Sequence, residues 1–139
     1  MVFIERGRGR TLLWMGHQYH KHIDRKNGAN KWRCAKYKIT GCFGNINAQG
    51  YKVTRARPHL KQCLPDFEAN IIAMHLSELK KKATIGTTPV SNLYHEFVET
   101  IKASGSQALI DKIPSFNALK SSLYAKRKHL DIGNTCDDA

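Results

Sequence analysis

Cys34 and Cys42, with seven residues between them, are followed by His59 and Cys63 within a segment too poor in apolar residues to hold itself together. A small sheet of about 60 residues buries too little surface to fold reliably without a disulfide, a metal or a partner. Something must staple this one. Zinc takes four nitrogen or sulfur ligands at tetrahedral angles, usually delivered as two close pairs. Cys34 and Cys42 flank the turn YKITG, and His59 and Cys63 share the short connection RPHLKQC, so the spacing meets that demand. It equally suits a chain in which the two first cysteines are small buried hydrophobes and His59 is an exposed loop residue; the need for a staple favours the metal. His17, His20 and His22 read as surface or nucleic-acid-facing side chains, with His17 the alternative to His59 as fourth ligand. Cys136 has no partner nearby in sequence.

The segments TLLWMG, HQYHKHID, KWRCAKYKI and FGNINAQGYKVTRA are rich in β-formers and punctuated by turn residues. They predict a meander of three or four short strands with hairpins at Asn27-Gly28 and near Gln49-Gly50. After Asp66 the period changes. Phe67, Ile71, Met74, Leu76 and Leu79 predict a helix capped by Asp66 that ends at Lys80 to Lys82; Leu93, Tyr94, Phe97, Val98 and Ile101 predict a second, capped by Ser91. QALIDKI predicts a short helical piece, and Phe116, Leu119, Leu123 and Tyr124 a last helix capped by Ser115. The expected fold class is α+β: a small stapled antiparallel sheet over residues 3–65, a region of three or four helices over 66–131, and a flexible tail over 132–139.

Charge divides the chain at the same place. Residues 1–65 carry 14 Lys and Arg against 2 acids, and residues 66–139 carry 9 against 9, so the formal net charge of +12 resides in the first half. A basic module beside a neutral one is the balance expected of a partner for a polyanion, nucleic acid above all. Arg6-Gly7-Arg8-Gly9-Arg10 reads either as a flexible arm that tracks phosphates or as a solubilising segment. The N-terminus lacks the apolar run of a signal peptide, and no stretch approaches the roughly 20 apolar residues of a membrane span. The chain is expected in a reducing compartment, without a membrane partner. No Ser-His-Asp set, phosphate-binding glycine loop or HExxH is present, and Glu96, Glu99 and Asp111 read as solvated helix faces, so no enzymatic activity is expected.

The order Phe3, Leu13, Tyr19, Trp32, Cys34, His59, with the triplet WRC, a second cysteine and a histidine-containing end before LPD, resembles the FLYWCH zinc finger, a relative of the WRKY DNA-binding domain. The resemblance covers residues 3–65 and departs at its end, where a His-x-Cys pair would place histidine at Lys61. It implies one structural Zn²⁺ held by Cys34, Cys42, His59 and Cys63, with Trp32 packed beside it. It also implies DNA read through a β-strand surface, for which Arg8, Arg10, Gln18, His20, Lys21, His22, Arg25, Lys26, Lys36, Lys38, Lys52, Arg55 and Arg57 are the candidates. A nuclear transcription or chromatin protein follows from this; the alternative is a finger that docks a chromatin protein. The helical half resembles the region ahead of the catalytic core in Mutator-like transposases, which implies a transposon-derived origin, and it offers a surface for a homodimer.

Overall fold

The computed structural model describes the backbone of the chain apart from residues 7, 8, 24–27 and 139, and the side chains apart from these, Arg6 and residues 128–138. Arg8, Arg25, Lys26, Asn27, Lys128 and Cys136 therefore lie outside the described side chains. The class is α+β: a six-stranded antiparallel sheet followed by a helical region. Two compact units divide at Asn70, Met1–Asn70 and Ile71–Ala139.

In the first unit β1 (Val2–Arg6), β2 (Gly9–Trp14), β3 (His17–Ile23), β4 (Ala29–Cys34), β5 (Asn45–Gln49) and β6 (Lys52–Arg57) pair strictly in chain order. The meander is thus longer than the three or four strands expected. Its first strand is VFIER, three consecutive apolar residues before Glu-Arg, which pairs with β2 as far as Arg6 opposite Gly9. Of the expected arm, Arg6 is thus strand and Gly9 and Arg10 belong to β2, while residues 7 and 8 lie outside the described residues. The strand expected over KWRCAKYKI also ends early. β4 stops at Cys34, and the next residues form one turn of helix, α1 (Tyr37–Thr40), closed by Gly41 at φ 72°. A side chain there would strain the left-handed backbone, which is why a glycine precedes Cys42.

Directly opposed residues of an antiparallel sheet share a face. Phe3, Leu12, Tyr19 and Cys34 form one such row, and Lys21, Trp32, Ile46 and Ala56 another on the same side. This side carries the core: Leu12, Tyr19, Trp32, Ile46 and Ala48 are buried together, with Phe3, Trp14 and Val53 against them. Trp32 is thus a core residue, as expected. Leu12, rather than Leu13, fills the place beside Tyr19; Leu13 is buried on the opposite face.

α2 (Phe67–Ile85) starts in the first unit and continues into the second. Asp66 caps it, its Oδ1 accepting from the Ala69 N–H at 3.0 Å. The helix does not end at Lys80 to Lys82 but runs to Ile85, where Gly86 N–H closes onto the Lys82 carbonyl at 3.0 Å. α3 (Val90–Ala103) begins one residue before Ser91; Pro89 holds the cap position, so Ser91 is not the cap. Proline suits this place because its carbonyl accepts from Asn92 and Leu93 while its missing N–H costs nothing at a helix start. α4 (Gln107–Ile110) is the short piece expected. Ser115 Oγ accepts from the Ala118 N–H at 3.1 Å and caps α5 (Phe116–Asp138), whose helical backbone continues over residues 132–138, where a tail was expected. Ile72, Leu79, Leu93, Phe97, Ile101, Leu109, Leu119 and Leu123 belong to one buried cluster, the packing that their three- and four-residue spacing implies. Arg127 bonds the Ala83 and Thr88 carbonyls at 2.8 and 2.7 Å, covering the C-terminal turn of α2. Among the described residues no helix is long and apolar enough to cross a membrane.

Candidate metal centre

Three separate pieces of chain deliver four ligand atoms to one point. β4 supplies Cys34 at its last residue, Cys42 follows the glycine that closes α1, and the turn after β6 supplies His59 and Cys63. Their three Sγ atoms and one imidazole nitrogen all lie within 4.8 Å of one another. Cys34 Sγ and Cys63 Sγ are 3.7 Å apart, and His59 Nδ1 is 3.2 Å from Cys42 Sγ and 3.6 Å from Cys63 Sγ. A tetrahedral ion with metal–sulfur bonds of 2.3 Å sets its sulfurs about 3.8 Å apart. The Cys34–Cys63 edge of 3.7 Å matches that figure and is far longer than a disulfide; the three cysteines are free and buried. The cluster can hold one metal ion. His-x3-Cys reaches it despite the histidine standing two residues before Lys61, because Cys63 N–H turns back onto the Leu60 carbonyl at 3.0 Å.

Backbone amides prepare the sulfurs for negative charge. Lys36 N–H points at Cys34 Sγ at 3.4 Å and Leu60 N–H at Cys42 Sγ at 3.5 Å. Burial pushes the Cys63 thiol up to about 12, with the other two cysteines adding to the shift. Burial raises Cys34 as well, against the Lys36 amide. At Cys42 burial acts upward too, but the amides of Leu60 and Gly44 and the neighbouring thiols outweigh it and leave that thiol below its ordinary value. The backbone thus favours loss of the Cys42 proton, while burial favours keeping those of Cys34 and Cys63 until a cation replaces them.

His59 is held from three sides. Its Nε2 lies 2.7 Å from the Tyr19 hydroxyl. When Nδ1 ligates, the ring proton sits on Nε2 and donates to Tyr19 Oη, an outer contact that orients the ligand. His17 stacks on the His59 ring with centroids 3.6 Å apart and planes 8° from parallel. The third side is Gly44, where a Cβ would fall 2.4 to 2.6 Å from the imidazole atoms, so only glycine admits the ring. Burial, then the neighbouring His17 and Lys36, lowers the His59 pKa to about 4, which keeps the ring neutral and available as a ligand.

His17 was expected at the surface. It is half-buried, its Nδ1 3.9 Å from Cys63 Sγ and its carbonyl accepting from Asn70 Nδ2 at 3.2 Å. It walls the centre, while His59 completes the ligand set. Neither Gly44 nor the Tyr19 hydroxyl is marked by local spacing, since both act through residues distant in sequence.

The other face of the sheet collects several of the candidate nucleic-acid contacts. His20, Arg33, Asn45 and Arg57 stand opposite one another in a row across four strands, and Lys31, Asn47 and Arg55 form a second row. Gln18 and Lys52 share this side through their partners Leu13 and Gln49. Two guanidinium groups lie over exposed rings, Arg33 over Tyr37 at 4.6 Å and Arg57 over Phe43 at 5.6 Å. Lys31, Arg33, Asn45 and Asn47 were not among the residues singled out from sequence; the signal was their two-residue alternation with Arg55 and Arg57. Lys21 and Arg10 point to the core side instead, Lys21 over Trp32 at 5.4 Å and Arg10 over Phe3 at 4.8 Å. His22 falls at the register shift between Lys21 and Ile23 and is exposed. Lys36 precedes α1, its amide facing Cys34 Sγ, and Lys38 lies within α1. No family model matches the chain, and no curated protein matches it.

Proposed function

We propose that this protein is a non-catalytic, zinc-stabilised DNA-binding module of the FLYWCH type, acting in the nucleus through the polar face of its sheet. The observation that carries the reading is the row His20, Arg33, Asn45 and Arg57, which sets two cations and two hydrogen-bonding side chains side by side on the face turned away from the core. A flat β surface of this kind fits the major groove, where cations meet phosphates and amide or imidazole groups meet base edges. Cys34, Cys42, Cys63 and His59 would hold the ion; four protein ligands leave no position for a reactive water, so its contribution is structural. The concentration of +12 in the first half supports an anionic partner. The likeness of the helical half to transposase segments supports a transposon-derived origin.

The experiment is a titration of fluorescent duplex DNA at several salt concentrations with the native chain and an Arg33→Ala/Arg57→Ala variant. Each neutralised phosphate contributes about −0.9 to the slope of log affinity against log salt, so the expected result is a steep dependence that flattens by about 2 in the variant. Binding indifferent to salt and to both arginines would overturn the reading and favour a finger that docks a protein.

A further inference from the structure

The core side of the sheet ends in an open cleft that the metal does not use. Four residues before Cys34 on β4, Asn30 lines a cavity of about 300 Å³ together with Phe3, Arg10, Trp32 and Tyr51. The three rings form a corner, Phe3 to Trp32 with centroids 5.3 Å apart and Phe3 to Tyr51 edge-on at 5.4 Å. Tyr51, in the β5–β6 turn, is 79 % exposed, whereas Trp32 is buried and serves as floor. An exposed tyrosine at the mouth of such a corner presents a π-face without the cost of rearranging the core.

The charges around the corner restrict what can enter it. Arg10 already covers the Phe3 ring and Lys21 the Trp32 ring. Arg10 lines the cleft; Glu5, opposite Arg10 in the strand register, and Lys21 do not. A quaternary ammonium, the usual guest of an aromatic cage, would meet a cation there. A planar group that carries its own negative charge finds rings to stack on and a cation to neutralise it.

Resting on the nucleic-acid reading above, we infer that this cleft receives an unpaired base of single-stranded DNA, stacked on Tyr51 with a flanking phosphate beside Arg10. Stacking on an aromatic side chain contributes about 1–3 kcal/mol per base and tolerates any base. The cleft therefore confers a preference for single-stranded over paired DNA without specifying sequence.

The test uses the full zinc-loaded chain and its Tyr51→Ala variant, with fluorescence anisotropy of a labelled 12-nucleotide oligothymidylate and of a duplex of the same length. Because Tyr51 is exposed in a turn, circular dichroism of the variant should match the native chain; Tyr51→Phe, which keeps the ring, is the second variant. The inference expects the Tyr51→Ala change to weaken oligothymidylate binding roughly 5- to 150-fold, duplex binding to stay within twofold, and Tyr51→Phe to bind both as the native chain does. Unchanged oligothymidylate affinity in Tyr51→Ala, with duplex binding intact, would overturn the cleft and leave the DNA-binding face standing. Failure of the native chain to bind either DNA would overturn both.

Discussion

Tyr19 joins the apolar core to the metal cluster through one hydroxyl. Its ring is packed with Leu12 and Trp32, and its oxygen meets His59 Nε2 at 2.7 Å. Burial, then the three thiols, raises its pKa, so the phenol stays neutral. Tyr19→Phe should leave the fold intact and reduce zinc affinity about 10- to 100-fold, measured by competition with a chromophoric chelator; unchanged affinity would show that the hydroxyl does not orient His59. The pH response also belongs to His59. Its pKa in the folded, metal-free chain is about 4 against an ordinary 6.5, so the fold favours the neutral ring. That stabilisation is fully present above about 6.5 and is lost as pH falls through about 4. Urea unfolding of the zinc-loaded chain should therefore show stability falling as pH drops below about 6.5, where the histidine of the unfolded chain takes up a proton that the ligating ring cannot; stability unchanged below that pH would contradict it. At this scale the four ligand residues were legible because cysteine and histidine are sparse and paired. Gly44 was not, because a close approach between residues 44 and 59 leaves no mark in local sequence; His17, the alternative ligand, stands beside the centre and stacks on His59.

Among the elements, those with a sustained period were read most securely. The three- and four-residue spacing in α3 and most of α5 and the caps Asp66 and Ser115 have direct counterparts in the structure, whereas in α2 Phe67, Ile71 and Met74 are exposed and Ile72, Leu76 and Leu79 pack instead, and Tyr124 of α5 is exposed. The errors fall on short or borderline pieces. YKIT contains aromatic and β-branched residues and reads as strand by propensity, yet it forms a helical turn because Gly41 must reverse the chain to bring Cys42 to Cys34. β1 was passed over because five residues of VFIER gain their structure from pairing with β2 rather than from their own pattern. The arginines of Arg6-Gly7-Arg8-Gly9-Arg10 drew attention to charge when Gly9 and Arg10 were already strand. The helical elements also make a prediction. Ile101 is buried in α3 within the cluster formed with Leu93, Phe97 and Leu123, and Ile101→Ala should cost about 2–5 kcal/mol of helical-unit stability through the cavity it leaves. Thermal unfolding followed at 222 nm should show that loss while the zinc content stays at that of the native chain. A parallel loss of metal would mean that the two units do not hold their stability separately.

At the scale of the molecule, a charged unit that cannot close a large core is joined to a neutral unit that can. The first unit gathers its apolar residues on one face of a sheet and completes the enclosure with Cys34, Cys42, His59 and Cys63; the second needs only the packing of its helices. Ordering each residue of the sheet costs about 1–2 kcal/mol of backbone entropy, and an ion bound only by the folded form offsets part of it. Composition and charge made this division legible, since both change near residue 65. The polar face was only partly legible, because register, not sequence alone, decides which residues stand beside His20. The most direct test of the central claim is native mass spectrometry of the chain purified without added metal, followed by chelation under circular dichroism. The account predicts one Zn²⁺ per chain, whose removal melts the β signal and leaves the helical signal. A metal-free chain with its strands intact would contradict it.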